Sequence, residues 1–121
     1  VAILGAGKAA SLIPAAPWMN SADVLYWGDC DEAGFGILSE LRGRFPHARS
    51  VMMDFAAWCR WKHLALPGKR DPVARHTHLT DSERKALEAV VAGPWVLEQE
   101  RIPLLDAELA LRTAIANHAI L

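Results

Sequence analysis

Val24-Leu-Tyr-Trp-Gly-Asp-Cys-Asp-Glu-Ala-Gly-Phe-Gly-Ile-Leu-Ser-Glu-Leu-Arg-Gly-Arg-Phe45 runs from an apolar segment through a glycine and an acidic turn into an amphipathic segment. Val24–Trp27 has the length and composition of a buried strand, and Gly28 breaks it. Residues 32–45 read as a helix. Ile37, Leu38, Leu41 and Phe45 fall on one face, and Gly34 one turn earlier permits close approach. Acids in its first turn suit the positive helix end, and Arg42 and Arg44 suit the negative end. A strand followed at once by a helix is half of a βαβ unit.

The same alternation extends in both directions. Val1–Leu4 is a short apolar run stopped by Gly5-Ala-Gly7. Lys8–Ile13 can form a short helix that Pro14 and Pro17 end. Ser50–Met53 is a third strand candidate, and Phe55–Lys62 reads as a Trp-rich helix. Leu66–His78 holds Pro67, Gly68 and Pro72 without apolar periodicity and reads as a loop. Thr80-Asp-Ser-Glu83 has the capping-box pattern, and Leu87, Val90 and Val91 give the helix behind it an apolar stripe. Ala92-Gly-Pro94 ends that helix, and Trp95–Ile102 reads as extended or irregular. Asp106–His118 is a last helix with Ala107, Ala110, Leu111, Ala114 and Ile115 on one face. The expected fold is α/β, a parallel sheet flanked by helices, in a single domain over residues 1–121.

Composition bounds the function. The 121 residues are 52% hydrophobic and 22% charged, which predicts a buried core and a soluble chain. A net charge of −1 excludes an overall basic coat or an acidic disordered tail. It conceals a basic middle: residues 41–78 carry eight Lys/Arg against Asp54 and Asp71, with four of the five His. No apolar run approaches the roughly 20 residues of a membrane helix. Two cysteines, Cys30 and Cys59, are too few for a disulfide scaffold, and a reducing compartment is expected. The chain opens on an apolar strand without Met, so it is expected to be a piece of a longer protein.

Ligands of parallel sheets sit at the carboxyl ends of the strands. That rule selects Gly5–Lys8 and Gly28–Glu32. Gly5-Ala-Gly-Lys-Ala-Ala10 fits the dinucleotide fingerprint, with Asp29 as a ribose partner 24 residues after Gly5. Against it, Pro14 shortens the helix and Asp29 lies beyond a glycine; a plain strand-to-helix turn explains the same residues. Asp29-Cys-Asp31 places alternating carboxylates past a strand. Two such groups repel, and a divalent cation relieves the repulsion; Mg²⁺ commonly uses one or two carboxylates plus phosphate oxygens. The competing explanation is a solvated helix cap.

Other constellations are weaker. His76-x-His78 with Cys30 and Cys59 lacks zinc-ligand spacing and reads as surface histidines. Acidic neighbours disfavour a Cys30 thiolate, so a small buried side chain is expected there. Tyr26 is expected in the core. Arg60, Lys62, Lys69, Arg70 and Arg75, with Trp58 and Trp61, could meet a phosphate backbone, or the tryptophans could be core and the cations solvated. Glu98 or Glu100 could add a carboxylate to the acidic pair, although a surface turn is the simpler reading.

Taken together, Tyr26-Trp-Gly-Asp-Cys-Asp-Glu-Ala-Gly-Phe-Gly-Ile-Leu-Ser-Glu-Leu-Arg42, Phe45-Pro-His-Ala-Arg-Ser-Val-Met-Met-Asp54 and Leu97-Glu-Gln-Glu-Arg-Ile-Pro103 resemble the C-terminal Toprim domain of the Wadjet-system nuclease subunit (JetD-like). That family is related to the topoisomerase VI A subunit. The resemblance covers nearly the whole chain. It implies a Toprim-like, Rossmann-like sheet and Mg (or Mn)-dependent cleavage of double-stranded DNA. Asp29 and Asp31 match the family's D-x-D and take the catalytic and metal-binding roles. The family's Glu matches no residue here and is expected upstream, so the fold lacks its first strand, the fragment alone is expected to be inactive, and a sheet edge is exposed beside Val1–Leu4. The family further implies a homodimer working with a condensin-like SMC complex in plasmid defence, in the cytoplasm and without a membrane. Two other readings stand beside it: a dinucleotide-binding domain using Gly5–Ala10, and a non-catalytic DNA-binding or scaffold domain in which the Asp pair only caps a helix.

Overall fold

The computed structural model describes residues 2–4, 20–68 and 76–120. Gly5–Ala10, the Lys8–Ile13 helix, and Lys69, Arg70 and Arg75 of the basic segment lie outside the described residues.

Three short strands form a parallel sheet in the order β1 (Ala2–Leu4), β2 (Val24–Tyr26), β3 (Arg49–Ser50). Ala2 pairs with Val24 and Leu4 with Tyr26, while Leu25 pairs with Arg49. The Val51 N–H extends the ladder by donating to the Tyr26 carbonyl at 2.8 Å. The central strand is therefore β2. Val24, Leu25 and Tyr26 are all fully buried, as expected for a parallel strand covered on both faces.

Helix α1 (Glu32–Arg44) returns the chain from β2 to β3. Its N-cap is Asp31, whose carboxylate accepts the Gly34 N–H at 2.6 Å. Glu32 lies in the first turn, and Arg42 and Arg44 in the last. Phe35, Leu38 and Leu41 form the buried stripe, and Phe45 continues it; Ile37 packs at its margin. The apolar face is thus centred nearer Phe35 than the periodicity predicts.

The third strand is shorter than the predicted Ser50–Met53. Met52 adopts a positive φ of 59° and turns the chain off the sheet. Such a conformation is uncommon for a side chain as long as Met and costs on the order of 1 kcal/mol. Here the surroundings fix it: the Met52 carbonyl faces the Cys30 thiol at 3.6 Å, and Met53 is fully buried.

Helix α2 (Phe55–Trp61) is capped by Asp54, which accepts the Ala57 N–H at 2.8 Å. Helix α3 (Asp81–Ala92) has the predicted capping box, with the Thr80 hydroxyl and Glu83 carboxylate exchanging bonds with each other's backbone N–H. Ala86, Leu87 and Val90 are its buried stripe. Within the predicted loop, Leu66–Pro67 forms a strand, β4, antiparallel to β5 (Trp95–Val96). Helix α4 (Leu104–Ile120) starts two residues before its predicted Asp106. Ala107 is buried, and Ala110, Leu111 and Ala114 pack on the core, while Leu104, Leu105 and Leu109 are exposed.

Two polar knots fix these layers. Arg42 of α1 makes a double contact with Glu83 of α3, one arm at 2.9 Å, and also donates to the carbonyls of Ala48 and His78. Ser50 of β3 donates to the same Glu83 carboxylate. On the other side Arg49 grips Asp23 at 2.9 and 3.0 Å and the Ala114 carbonyl at 3.0 Å, holding α4 to β3. The chain is a mixed α/β structure whose acidic turn lies at the carboxyl end of the central strand.

Candidate metal and phosphate site

The turn after β2 is stapled to a distant segment by backbone alone. Cys30 and Leu97 form an antiparallel bridge, with N–H to carbonyl distances of 2.9 and 3.1 Å. Consecutive side chains of an extended segment point in opposite directions. Cys30 is 1% exposed and points into the core, where its thiol meets the Met52 carbonyl. Asp29 and Asp31 therefore project together on the other side, and both are half-buried.

Each carboxylate is held by a backbone donor. Asp29 Oδ1 accepts the Gln99 N–H at 2.8 Å, seventy residues away. Asp31 Oδ1 accepts the Gly34 N–H. Gly34 itself is obligatory: a Cβ there would sit 1.9 Å from the Asp29 carbonyl oxygen and 3.2 Å from Asp31 Oδ1. The glycine lets the first turn of α1 press against the turn, and this fixes the relative position of the two acids. Gly28 has an equivalent role on the other side. A Cβ at Gly28 would lie 2.3 Å from the Tyr26 hydroxyl and 2.7 Å from its ring carbon Cζ.

The electrostatics of the turn are strongly negative. Burial pushes the Cys30 thiol up to about 12, and the carboxylates of Asp31, Asp29 and Asp54 add to the effect. Burial likewise pushes the Tyr26 phenol up to about 12, with Asp29, Asp31 and Cys30 as the further contributors. Neither group forms an anion near neutral pH, so neither supplies a nucleophile by itself. Both fit the core positions expected for them.

The structure also locates the weaker candidates. Glu98 and Glu100 are exposed on a 3-10 turn over Gln99–Arg101, with Glu98 facing Arg101 at 4.0 Å. The segment thus reaches the acidic pair through the Gln99 backbone and not through its own carboxylates. Among the described residues no group of three or more His, Cys, Asp or Glu side chains is arranged to hold a metal. His76 and His78 lie against Gly36 and Gly43 of α1. Their backbone is tied down instead: the His78 N–H donates to the Ser39 hydroxyl at 3.0 Å, and the His76 carbonyl accepts from Arg84 at 2.8 Å.

Trp58 and Trp61 are each 6% exposed and belong to the core. They leave no aromatic stack for a base. Arg60 is exposed, lies 4.7 Å over the Trp61 ring, and pairs with Asp106 at 3.2 Å. Lys62 and His63 follow it on the surface.

Three contributors to this site carried little signal. The role of Gln99 is purely backbone, and a backbone donor has no residue signature. Asp54 stands at the start of α2 as a cap, yet its charge reaches Cys30. Tyr26 reads as apolar filling because it lies within an apolar run, although its hydroxyl abuts the turn.

The donor set is oxygen only. It suits a hard cation such as Mg²⁺ or Mn²⁺, which binds through one or two carboxylates and completes its shell with water and phosphate oxygens. Asp29 still presents its second carboxylate oxygen, because the Gln99 bond uses only Oδ1.

No curated protein matches this chain. The family described as Wadjet protein JetD, C-terminal, matches residues 1–111. The chain belongs to the family of the Wadjet protein JetD C-terminal domain.

Proposed function

We propose that this chain is the metal-binding, Toprim-like part of a subunit that cleaves double-stranded DNA in defence against plasmids. The observation that carries this reading is the acidic pair. Asp29 and Asp31 stand at the carboxyl end of the central parallel strand, each fixed by a backbone N–H donor, and Gly34 sets their spacing. That end of a parallel sheet is where such folds place their ligands. Membership of the Wadjet family supports the defence role.

Asp29 and Asp31 are the residues that would hold Mg²⁺ (or Mn²⁺), with the family's glutamate supplied from upstream. A cation held there supplies Lewis-acid polarisation of a phosphate and stabilises the leaving oxygen. The chain's own contribution is positioning. The Gln99 and Gly34 N–H groups hold the carboxylates, and the Cys30–Leu97 bridge keeps the turn from opening. Exposed Arg60 on α2 and Lys62 just beyond it offer phosphate contacts that carry no sequence preference. A condensin-like SMC complex and a second copy of the subunit are the partners this reading requires, in the cytoplasm. Among the described residues no helix is long and apolar enough to cross a membrane.

The scaffold alternative has one observation in its favour, since Asp31 does cap α1. It leaves Asp29 as a latch for Gln99 only. Calorimetry with Mn²⁺ separates the two readings. It is run on this chain, on the chain extended upstream to include the family's glutamate, and on the Asp29→Asn/Asp31→Asn version of each. Binding that strengthens with the extension and vanishes with the asparagines supports the metal site and warrants a nicking assay on supercoiled DNA. No binding in any form refutes it and leaves the cap and the latch as the functions of the pair.

A further inference from the structure

Tyr26 poses a problem that its role as core filling does not solve. The residue is 0% exposed, and among the described residues its hydroxyl has no hydrogen-bond partner. A buried donor without a partner is destabilising, and phenylalanine would fill the same volume without that cost. The hydroxyl is not in an arbitrary place. It lies against Gly28, where a Cβ would come within 2.3 Å, and Gly28 directly precedes Asp29. A glycine at this position thus makes room for an oxygen that no group among the described residues uses. Burial is the main cause that raises this phenol, and the charges of Asp29, Asp31 and Cys30 add to it.

We propose that Tyr26 is a positioning residue of the acidic turn, and that its hydroxyl donates a hydrogen bond to an oxygen in the coordination shell of the divalent cation held by Asp29 and Asp31. The inference rests on the metal-site reading above. A phenol is suited to the role. It stays protonated beside two carboxylates and so remains a donor, and its ring is locked by full burial in β2, the most central strand. Donors behind the ligands of a metal site orient the shell, and their removal commonly weakens binding by about 10- to 100-fold.

Tyr26→Phe tests this with two readouts of opposite sense. In metal-free protein the variant should unfold at the same temperature as the parent or higher, since a donor without a partner has been removed. Its Mn²⁺ dissociation constant, followed by water-proton relaxation on this chain and on its upstream extension, should rise about tenfold. Tyr26 is the sole tyrosine of the 121 residues, so the tyrosine Fermi doublet in the resonance Raman spectrum of this chain reports on it alone. It should shift from a non-donating to a donating phenol on addition of Mn²⁺. A lower unfolding temperature in metal-free Tyr26→Phe would overturn the proposal, because it would show a structural partner for the hydroxyl. Unchanged Mn²⁺ affinity would also overturn it, while abolished binding in Asp29→Asn/Asp31→Asn would leave the metal site standing. If the double asparagine version binds as the parent does, or no form binds Mn²⁺, the metal reading fails and this inference falls with it.

Discussion

Asp31 serves two masters, and two substitutions separate them. Its carboxylate accepts the Gly34 N–H at 2.6 Å, a short, charge-assisted bond at the N-cap of α1. Replacing such a cap by alanine costs about 0.5–2 kcal/mol. The short distance and the ionised acceptor place this bond in the upper part of that range. Losing the negative charge at the helix start adds about 0.5 kcal/mol. Asp31→Ala should therefore destabilise the fold by about 2 kcal/mol. At about 4 °C per kcal/mol for a chain of this size, the melting temperature falls by about 8 °C. Asp31→Asn keeps a side-chain oxygen for the same N–H and loses only the charge term. At about 0.5 kcal/mol for the charge, the melting temperature should stay within about 2 °C of the parent. Circular dichroism melts at pH 7 and low salt measure both. Equal melting temperatures for all three proteins would refute the cap, and an asparagine variant as unstable as the alanine one would refute the charge argument. If Asn is neutral for stability, any loss of Mn²⁺ affinity in Asp31→Asn belongs to metal binding and not to unfolding.

Three further outcomes follow from the packing. Glu83 is 3% exposed; burial pushes its carboxyl up, but bonds from Arg42, Ser50 and the Thr80 backbone outweigh this and hold it below its ordinary value of 4.5. A depressed folded-state value means that the stabilisation is complete above 4.5 and is lost as pH falls through the lower native value. Glu83→Gln should cost about 3–5 kcal/mol at pH 7 by stranding Arg42, and urea midpoints of the variant should depend less on pH below 4.5 than those of the parent. Gly34→Ala drives a Cβ to 1.9 Å from the Asp29 carbonyl, and the forced shift should cost about 3 kcal/mol, read as a melting temperature lower by about 12 °C. Of the two thiols, only exposed Cys59 should react with an aromatic disulfide reagent at pH 8, since Cys30 is buried and pushed up to about 12; two reactive thiols in native protein would contradict the placement of the turn.

Local signals in the sequence are borne out where local physics decides. The Thr80–Glu83 capping box, the acid-to-base gradient of α1 and the Gly28 break after Trp27 are each complete within one short segment. Their energetics need no distant partner. Features decided by tertiary contacts were less legible. Leu66–Pro67 becomes a strand only because Trp95–Val96 lies beside it, and neither segment has periodicity of its own. Strand β3 is cut short by the left-handed turn at Met52, a position where sequence gives no glycine to mark it. Leu104, Leu105 and Leu109 are as apolar as the core stripe, and packing alone determines that they face outward.

The candidate site shows the same division more sharply. Asp29 and Asp31 are visible as a motif because the acids are adjacent in sequence. The groups that hold them in place come from elsewhere: the Gln99 N–H and the Leu97 bridge. These contacts fix both carboxylates in the native turn whether or not a cation is present. A cation that binds the native pair and not the unfolded chain must then stabilise the fold. At a concentration ten times its dissociation constant the gain is about 1.4 kcal/mol by mass action, roughly 6 °C in melting temperature. Monovalent salt at equal ionic strength screens charge without bridging the pair and should give a smaller rise. A Mn²⁺-specific increase that disappears in Asp29→Asn/Asp31→Asn would tie stability and metal binding to the same two residues. Equal increases with Mn²⁺ and with sodium chloride of matched ionic strength would show that the turn is a screened acidic surface and not a binding site.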